Sequence, residues 1–365
     1  MEDNKVVLIT GAADGWGARL AARLAETPGL RVIGIDAKRP REAHKGLDFV
    51  QADVRNPLLV DFMKEEKVDT VCHLAFAENE PHSEKTFDLN VMGTMKLAGA
   101  CAQAGVCKMV FKSSTAVYGA FPDNSAFLRE ELPLRGGQSA DSTRHLVEIE
   151  AFNNGFLRQA PEMCLTVLRC ASIVGPSIDT PMTRFLGSHV TPVLLGFDPM
   201  LQVLHEDDAV AALAHAVERD APGVFNIAAD GALPLSKVMS LAGKTAVPVV
   251  HLAAYWGNPF FRALGWPVGH FWPMPLDYLR YPWVADLTKM REELDFVPRY
   301  TAEEALREFA RRKRLEKYLP HSGDMAFDEE LLRDTIERGR RQRKQQVTSL
   351  MKVTEEIAGE SWGEL

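Results

Sequence analysis

Residues 6–17, VVLITGAADGWG, join a short apolar run to a loop of small residues. The first four residues predict a strand buried on both faces, since such strands are apolar throughout. Gly11, Gly15 and Gly17 then lie where the chain turns into an apolar-periodic helix. Glycines there permit the tight turn, the approach of a pyrophosphate to the backbone and close packing of helix on strand. The stretch therefore predicts a pyrophosphate site at the start of a helix.

An acidic residue follows this loop at the expected distance. Asp36 ends the next apolar run, RVIGID at residues 31–36. An acid about 20 residues beyond such a loop, at the end of the second strand, binds the ribose of a dinucleotide. The alternative is a glycine-rich turn in another kind of α/β protein. The agreement of the later stretches favours the dinucleotide site.

Composition indicates a soluble globular protein. The 365 residues fit one large domain, two domains, or a domain with an appendage. The formal net charge of −8 argues against a dedicated nucleic-acid binder. The five cysteines form no CxxC pair and no Cys/His cluster at zinc spacing, so we expect reduced thiols and no metal. We expect a cytoplasmic protein without a signal peptide or a transmembrane segment.

Strand and helix patterns alternate through the first half of the chain. Strand patterns lie at residues 31–36, 47–53, 70–75, 108–113 and 165–169, and helical patterns at 18–26, 57–67, 84–104 and 141–157. This alternation predicts a parallel, doubly wound sheet with right-handed crossovers. Ligands of such sheets bind at the carboxyl ends of the strands. That edge should carry Gly11, Asp36, Asp53, Ala75 and Ser114.

The second half is less regular and contains two unusual segments. Residues 255–283 are dense in aromatic side chains, and two interpretations stay open: packing of a core or lid, or an apolar binding surface. Residues 328–357 show a helical pattern with a basic run. Such a run is typical of a solvated helix face, and contact with anionic lipid or nucleic acid is the alternative.

We expect domains at residues 1–175 and 176–310, followed by an appendage at 311–365.

The chain resembles the extended short-chain dehydrogenase/reductase family, the NAD-dependent epimerases and dehydratases such as UDP-glucose 4-epimerase. The likeness covers roughly residues 5–310. The motifs that carry it are TGAADGWG at 10–17, Asp36, ADV at 52–54, HLA at 73–75, NVMGT at 90–94, FKSSTAVYG at 111–119, LR at 168–169 with Gly175, HEDD at 205–208, and Asp286 with PRYT at 298–301. The resemblance implies a Rossmann fold with a smaller C-terminal substrate domain, and the tail pattern adds a helical C-terminal appendage.

The glycine spacing departs slightly from the family pattern. Extended members usually show GxxGxxG, whereas this chain reads TGxxxGxG, with Asp14 where a glycine is more usual. An acid beside a pyrophosphate is unfavourable unless its carboxylate turns back to cap the helix. We therefore expect Asp14 to be a helix cap.

The resemblance implies a cofactor site. The pyrophosphate would lie against Gly11, Ala13, Asp14, Gly15, Trp16 and Gly17. Asp36 would bind the adenosine ribose and repel a 2′-phosphate, which favours NAD, although Lys38 and Arg39 keep NADP as the less favoured alternative. The further cofactor-binding residues would be Asp53 and Val54 at the adenine, Leu74, Ala75 and Phe76 at the ribose, Asn90 holding a water or a backbone group, and Arg144.

A larger departure concerns the acid/base pair of the family, YxxxK. In that pair the lysine charge lowers the pKa of the tyrosine, so the phenolate can accept a proton. Here residues 139–148 read SADSTRHLVE, so that Ala140 or Asp141 stands at the tyrosine position and Arg144 or His145 at the lysine position. In the whole chain, no tyrosine is followed four residues later by a lysine.

Three hypotheses follow from this departure. In the first, the protein binds NAD without redox chemistry. In the second, another residue replaces the tyrosine as the base. In the third, the cofactor site no longer binds a cofactor. Ser114 falls on the family's catalytic serine or threonine, and His145, Asp141 and Tyr118 are the candidate replacements. We expect an NAD-binding, epimerase/dehydratase-like oxidoreductase acting on a hydroxyl or keto group of a sugar-nucleotide-like or lipid-like small molecule. The alternative is a catalytically silent NAD-binding sensor or scaffold. The resemblance also implies a homodimer.

Overall fold

The computed structural model describes residues 5–40, 46–77, 83–139, 141–188, 191–250 and 274–316. Residues Met1–Ala310 form one compact unit and Arg311–Leu365 a second. Ala140, most of the aromatic stretch 255–283 and the helical pattern at 328–357 lie outside the described residues. The expected domain boundary at residue 175 stays a prediction.

The strands in chain order are β1 (Lys5–Thr10), β2 (Leu30–Asp36), β3 (Leu47–Gln51), β4 (Thr70–His73), β5 (Lys108–Ser114), β6 (Cys164–Cys170), β7 (Ser172–Val174), β8 (Thr191–Leu194), β9 (Met200–Leu201), β10 (Val203–His205), β11 (Gly223–Ile227), β12 (Leu233–Pro234) and β13 (Ala246–Val249). Seven of them form a parallel sheet in the order β11-β6-β5-β4-β1-β2-β3. Three two-stranded sheets pair β10 with β7, β12 with β9 and β13 with β8. The predicted α/β fold, a Rossmann doubly wound sheet, is confirmed.

The α-helices are α1 (Gly15–Ala25), α2 (Leu59–Glu65), α3 (Glu84–Phe87), α4 (Gly93–Ala104), α5 (Gly136–Ser139), α6 (Asp141–Phe156), α7 (Pro181–Gly187), α8 (Glu206–Glu218), α9 (Leu235–Leu241), α10 (Thr288–Glu292) and α11 (Ala302–Glu316). In the part of the chain that the structure describes, 3-10 helices lie at Thr115–Tyr118 and Leu276–Leu279. Within the described ranges, no helix is long and apolar enough to cross a membrane. A homodimer through the helical segments 84–104 and 141–157 stays a prediction.

The central sheet buries both of its faces, as the apolar strands predict. Val7 and Ile9 of β1 pack with α1 and α8, while the alternating residues Val6 and Leu8 pack with α2, α4 and α6. A third apolar cluster joins the 3-10 helix after β5 to α7, α9, residues 274–283 and the start of α11. The carboxyl ends of the strands therefore lie beside residues that come from the second half of the chain.

The single helix expected at residues 84–104 is interrupted by a π-helical turn. Ser83 starts α3 with a capping box, in which its side chain and that of Thr86 each accept a backbone N–H. The turn Asp88–Met92 then precedes α4. A π-helical turn contains one more residue than an α-helical turn, and such turns are frequent at functional sites. In this protein the turn contains Asn90.

Candidate functional site

The glycine loop between β1 and α1 is held by close backbone contacts. The Gly11 N–H donates to the Ile35 carbonyl of β2 at 2.9 Å. Gly11 has φ +73°, and a Cβ there would lie 2.7 Å from the Leu74 carbonyl oxygen. A Cβ at Gly17 would lie 2.1 Å from the Gly11 carbonyl oxygen. Only glycine fits at both positions, which confirms the close packing that the sequence predicts.

Asp36 stabilises the same loop. Its half-buried carboxylate accepts hydrogen bonds from the Ala13 N–H at 3.1 Å and the Lys38 N–H at 2.9 Å. Each bond to a charged acceptor is stronger than a neutral one. The carboxylate therefore lies at the carboxyl edge of β2, against the loop that precedes α1.

The expected capping role of Asp14 is wrong. Asp14 precedes α1 with extended backbone, φ −151° and ψ −179°, and its exposed side chain makes no hydrogen bond to the helix. Only its carbonyl takes part, accepting from the Ala18 N–H at 3.2 Å. The N–H groups of the first turn of α1 therefore lack a side-chain cap and can bind an anion. A Cβ at Gly15 would meet nothing within 4 Å, so the loop has open space for a phosphate.

A buried hydrogen-bond relay supports the segment after β4. The Leu74 and Ala75 N–H groups donate to Thr10 Oγ1 at 3.1 and 3.2 Å. Because both lone pairs of Thr10 are used, its proton points to His73 Nδ1, 2.7 Å away. His73 Nε2 then donates to Thr94 Oγ1 at 2.9 Å. Burial lowers the pKa of His73 to about 3, so this imidazole is neutral at physiological pH.

Asn90 connects this segment to α6. Its Oδ1 accepts the Ala77 N–H at 2.9 Å, so its Nδ2 is the donor toward His145 Nδ1, 3.2 Å away. The expected contact of Asn90 with a backbone group is confirmed. Because His145 Nδ1 accepts, the proton of the neutral imidazole lies on Nε2. His145 is buried, and its ring meets the Phe87 ring edge-on at 5.9 Å between centroids.

The end of β5 places two polar residues on one face of the sheet. Ser114 Oγ accepts the Ala116 N–H at 3.2 Å and caps the 3-10 helix Thr115–Tyr118. Lys112 lies two residues earlier, hence on the same face, and its ammonium is 5.3 Å from the centre of the Trp16 indole. The sequence reasoning missed Lys112, although a buried lysine in an otherwise apolar strand before Ser114 is a visible signal.

A cavity at this edge joins the loop, β5 and α6. It has a volume of about 1200 Å³ including its open mouth. Its wall includes five residues predicted from the sequence: Trp16, Phe76, Asn90, Ser114 and His145. Other lining residues, which the sequence reasoning did not assign to the site, include Lys112, Thr143, Cys170, Ile173, Thr180, Met182, Met274, Tyr278 and Trp283. The cavity is therefore bordered both by the start of α1 and by residues from the second half of the chain.

Tyr118, a predicted catalytic candidate, lies in a buried network outside the cavity wall. Its hydroxyl donates to Asn226 Oδ1 at 2.7 Å and accepts from Arg169 Nη1 at 2.7 Å. Burial raises the pKa of Tyr118 to about 12. With both functions of the hydroxyl used and the phenolate disfavoured, Tyr118 has a structural role and we leave it out of the site.

Arg144, a predicted cofactor ligand, points away from the cavity. Its side chain is 54% exposed, and its Nε lies 4.0 Å from Glu148 one turn along α6. Such a surface pair contributes little to stability. Arg144 does not line the cavity, so the structure gives it no contact with a ligand bound there.

Asp53 and Val54 follow β3 at the same edge of the sheet. Asp53 accepts from the Arg55 side chain at 2.6 and 2.8 Å, and these bonds hold the pKa of its carboxyl below the usual value. Val54 is buried in the core. Their predicted contacts with adenine stay a prediction. In the described ranges, no cluster of three or more His, Cys, Asp or Glu is placed to bind a metal.

Comparisons with known proteins agree with this geometry. The model of the NAD dependent epimerase/dehydratase family matches residues 7–228. An uncharacterized protein of Mycobacterium bovis is 37% identical over 330 residues, which are 87% of this chain and 86% of that protein.

Solved structures share the fold at lower identity. A structure of MoeE5 in complex with UDP-glucuronic acid and NAD has a TM-score of 0.66 and 22% identity, covering 85% of this chain and 99% of that one. A dTDP-glucose 4,6-dehydratase from Bacillus anthracis in complex with NAD has a TM-score of 0.65 and 21% identity, covering 86% and 98%. Together with the sequence match, they lead to one assignment: the chain belongs to the NAD-dependent epimerase/dehydratase family.

Proposed function

We propose that the protein is an NAD-dependent oxidoreductase that acts on a hydroxyl or keto group, with an acid/base arrangement unlike that of its family. The observation that carries this proposal is the convergence of Trp16, Ser114 and His145 on one cavity at the sheet edge. The substrate is a small molecule of the sugar-nucleotide or lipid type. Structures of the same fold hold NAD with UDP-glucuronic acid, which supports the cofactor half of the proposal.

The glycine loop would hold the cofactor's pyrophosphate. The uncapped first turn of α1, the open space at Gly15 and the close backbone packing at Gly17 all fit that group. Asp36 would bind the adenosine ribose, and its charge disfavours a 2′-phosphate, so NAD is preferred over NADP. When bound, NAD supplies a hydride acceptor or donor.

Ser114, His145 and Lys112 would act on the reacting oxygen of the substrate. The Ser114 hydroxyl lines the cavity and can donate a hydrogen bond to that oxygen. His145 lines the same cavity, and the hydrogen bond from Asn90 to its Nδ1 would orient the ring beside that oxygen. The Lys112 ammonium would stabilise the negative charge that develops on the same oxygen, and would give that oxygen a proton when hydride adds to the carbon or take it back in the reverse reaction.

The cofactor preference is tested by Asp36→Asn, which removes the charge and keeps the size. In the wild-type protein we expect NAD to bind at least about tenfold more tightly than NADP, because a carboxylate beside a 2′-phosphate costs at least ~1.4 kcal/mol. In Asp36→Asn that ratio should fall toward one. Isothermal titration calorimetry with NAD and NADP measures both values.

Arg144→Ala is the matched control for this titration. Because the Arg144 side chain is half exposed and pairs with Glu148, its removal should change NAD affinity by less than about twofold. A wild-type protein that binds NADP as tightly as NAD, or an unchanged ratio in Asp36→Asn, would contradict the proposed role of Asp36.

Turnover tests the proposed function itself. Wild-type protein is incubated with NAD or NADH and a panel of UDP-sugars and keto-acyl compounds, and NADH absorbance is followed. Ser114→Ala should lower kcat about 100-fold or more while NAD affinity stays within about twofold, since the lost hydroxyl acts on the substrate oxygen. Loss of turnover in His145→Ala would support the proposed role of His145. Activity that survives in Ser114→Ala would refute the role of Ser114.

A second candidate is an NAD-binding protein without turnover. It is favoured by two observations: Arg144, at one of the family's lysine positions, points outward, and the hydroxyl of Tyr118 is held in a buried network. Tight NAD binding with no turnover across the panel would support this candidate. The same turnover assay therefore distinguishes the two functions.

A further inference from the structure

The second turn of α1 contains an arginine that joins two other segments of the chain. Arg19 lies on the same face of α1 as Trp16, which lines the cavity. The Arg19 guanidinium lies 3.3 Å from the Glu206 carboxylate at the start of α8, and it also contacts Asp207. Its Nη1 donates to Ser177 Oγ at 3.3 Å, in the loop after β7. We call Arg19, Glu206 and Ser177 the bridge.

The Glu206 carboxylate depends on the other two members of the bridge. Its side chain is 5% exposed, and among the described residues Arg19 is the cation that pairs with it. The Ser177 hydroxyl donates to Glu206 Oε1 at 2.7 Å, and the Ser177 N–H donates to Oε2 at 3.2 Å. Removing the cation beside a buried carboxylate is strongly destabilising, because the charge then has no compensation. The bridge therefore holds α1, α8 and the loop after β7 together.

Packing holds the same loop in place. A Cβ at Gly175 would lie 2.2 Å from the carboxyl carbon of Glu206, so the backbone of the loop lies directly against this side chain. Ile178 packs on the same apolar cluster as Trp16. The loop is thus held against the two helices by apolar contacts as well as by hydrogen bonds.

This loop continues into the wall of the cavity. Thr180, Pro181 and Met182 follow the bridge by a few residues and line the cavity. Thr180 fixes their position, because its hydroxyl donates to the Ile173 carbonyl at 2.9 Å and its side chain caps α7. We call residues 175–182 the wall segment. A molecule in the cavity would therefore contact one end of this segment, while the bridge holds the other end.

On its other side, the bridge adjoins the glycine loop. The first turn of α1 has no side-chain cap, so its N–H groups lack that acceptor. A pyrophosphate bound there would supply acceptors and stabilise the turn that precedes Arg19. Proteins open locally in contiguous cooperative units, so residues of one unit share its stability. Stability gained at the first turn of α1 would thus reach the wall segment through the bridge.

Resting on the proposed binding of NAD at the glycine loop, we propose that Arg19 is a positioning residue that couples cofactor binding to the order of the wall segment. Arg19 itself does not line the cavity. It acts through Glu206 and Ser177, so that the wall segment is held in one position when NAD occupies the loop. Cofactor binding thereby prepares the surface that the substrate contacts.

Hydrogen–deuterium exchange measured by mass spectrometry tests this coupling with NAD alone. In the wild type, saturating NAD should slow exchange in peptides from residues 11–19 and in peptides from residues 175–187. We expect the second effect to be at least about fivefold, the lower end of typical coupling between sites. In Arg19→Met the first effect should remain, and the second should fall below about twofold. NAD affinity measured by calorimetry should stay within about threefold, because the N–H groups at the pyrophosphate are unchanged.

Three further variants separate coupling from folding. Arg19→Met combined with Glu206→Gln leaves no unpaired buried charge, so it should fold and still lose the protection of the wall segment. Arg23→Met is the matched control, because Arg23 is exposed on the same helix and forms no ion pair with a residue that the structure describes. It should keep the protection of both segments. Arg19→Lys, which retains the charge, should restore about half of the protection.

The proposal is overturned if NAD protects the wall segment equally in Arg19→Met and in the wild type. It is also overturned if NAD protects the glycine loop of the wild type and leaves the wall segment unchanged. A loss of NAD affinity of about tenfold or more in Arg19→Met would make Arg19 a ligand of the pyrophosphate and contradict its positioning role. A wild-type protein that does not bind NAD by calorimetry is a distinct result, because it refutes the proposed function and the coupling with it.

Discussion

Gly17→Ala is expected to weaken dinucleotide binding roughly 100-fold and to destabilise the fold. A Cβ at this position would lie 2.1 Å from the Gly11 carbonyl oxygen and 2.6 Å from its carbon. Both atoms belong to backbone, so the loop must move away from α1. Losing two hydrogen bonds to the pyrophosphate at about 1.5 kcal/mol each lowers affinity by roughly 100-fold. The steric clash should lower the free energy of unfolding by about 4 kcal/mol.

Urea unfolding and calorimetric titration with NAD measure these two effects separately. Gly99→Ala is the matched control, because Gly99 lies within α4 and a Cβ there would meet nothing within 4 Å. Alanine in a helix interior should stabilise the protein by up to about 1 kcal/mol and leave NAD affinity unchanged. A Gly17→Ala protein that binds NAD as the wild type does would contradict the assignment of the loop as the pyrophosphate site.

Arg169→Met is expected to lower the free energy of unfolding by about 3–5 kcal/mol, since it leaves a carboxylate buried without its partner. Arg169 and Glu150 have side-chain exposures of 4% and 2% and are joined at 2.6 Å. Arg169 also donates to Tyr118, and Ser113 donates to Glu150. These bonds connect β5, β6 and α6 directly behind the cavity.

Urea unfolding with Arg184→Met as control measures this effect. Arg184 pairs with Asp179 at 2.7 Å, but their side chains are 39% and 64% exposed, so the loss should be under about 1 kcal/mol. A comparable small loss in Arg169→Met would show that the buried network contributes no more than a surface ion pair.

The sequence was sufficient to predict the geometry of the glycine loop. Gly11 and Gly17 lie where the strand–loop–helix pattern requires glycine, and Asp36 contacts the loop from the end of β2. These features are local, because the residues lie in neighbouring elements of the chain and the strand–loop–helix pattern brings them close together. The parallel sheet followed from the same logic, because its alternating strands and helices leave few other arrangements.

Other parts of the site depend on contacts between distant segments. The relay from Thr10 through His73 to Thr94 requires the pairing of β1 with β4 and the π-helical turn, neither of which is visible in the pattern. The outward direction of Arg144 depends on the rotation of α6 about its axis. The cavity is lined by both Met182 and Trp283, which lie about 100 residues apart in the chain, a separation that local periodicity does not bridge.

The role of Tyr118 could not be predicted for a related reason. Its motif resembles the family's, but its environment is determined by Arg169 and Asn226, which lie on β6 and β11. Only the order of the strands in the sheet makes them neighbours. A tyrosine four residues after Ser114 is therefore compatible with a wholly structural role.

The most direct test of the central claim is a measurement of hydride transfer. NADH deuterated at C4 of the nicotinamide is incubated with the wild-type protein and a panel of ketones that includes 2-decalone and keto-acyl compounds, and the products are examined by mass spectrometry. The account predicts that deuterium appears on the former carbonyl carbon with the wild type and is reduced about 100-fold or more with Ser114→Ala. Tight NADH binding with no deuterium in any product would contradict it.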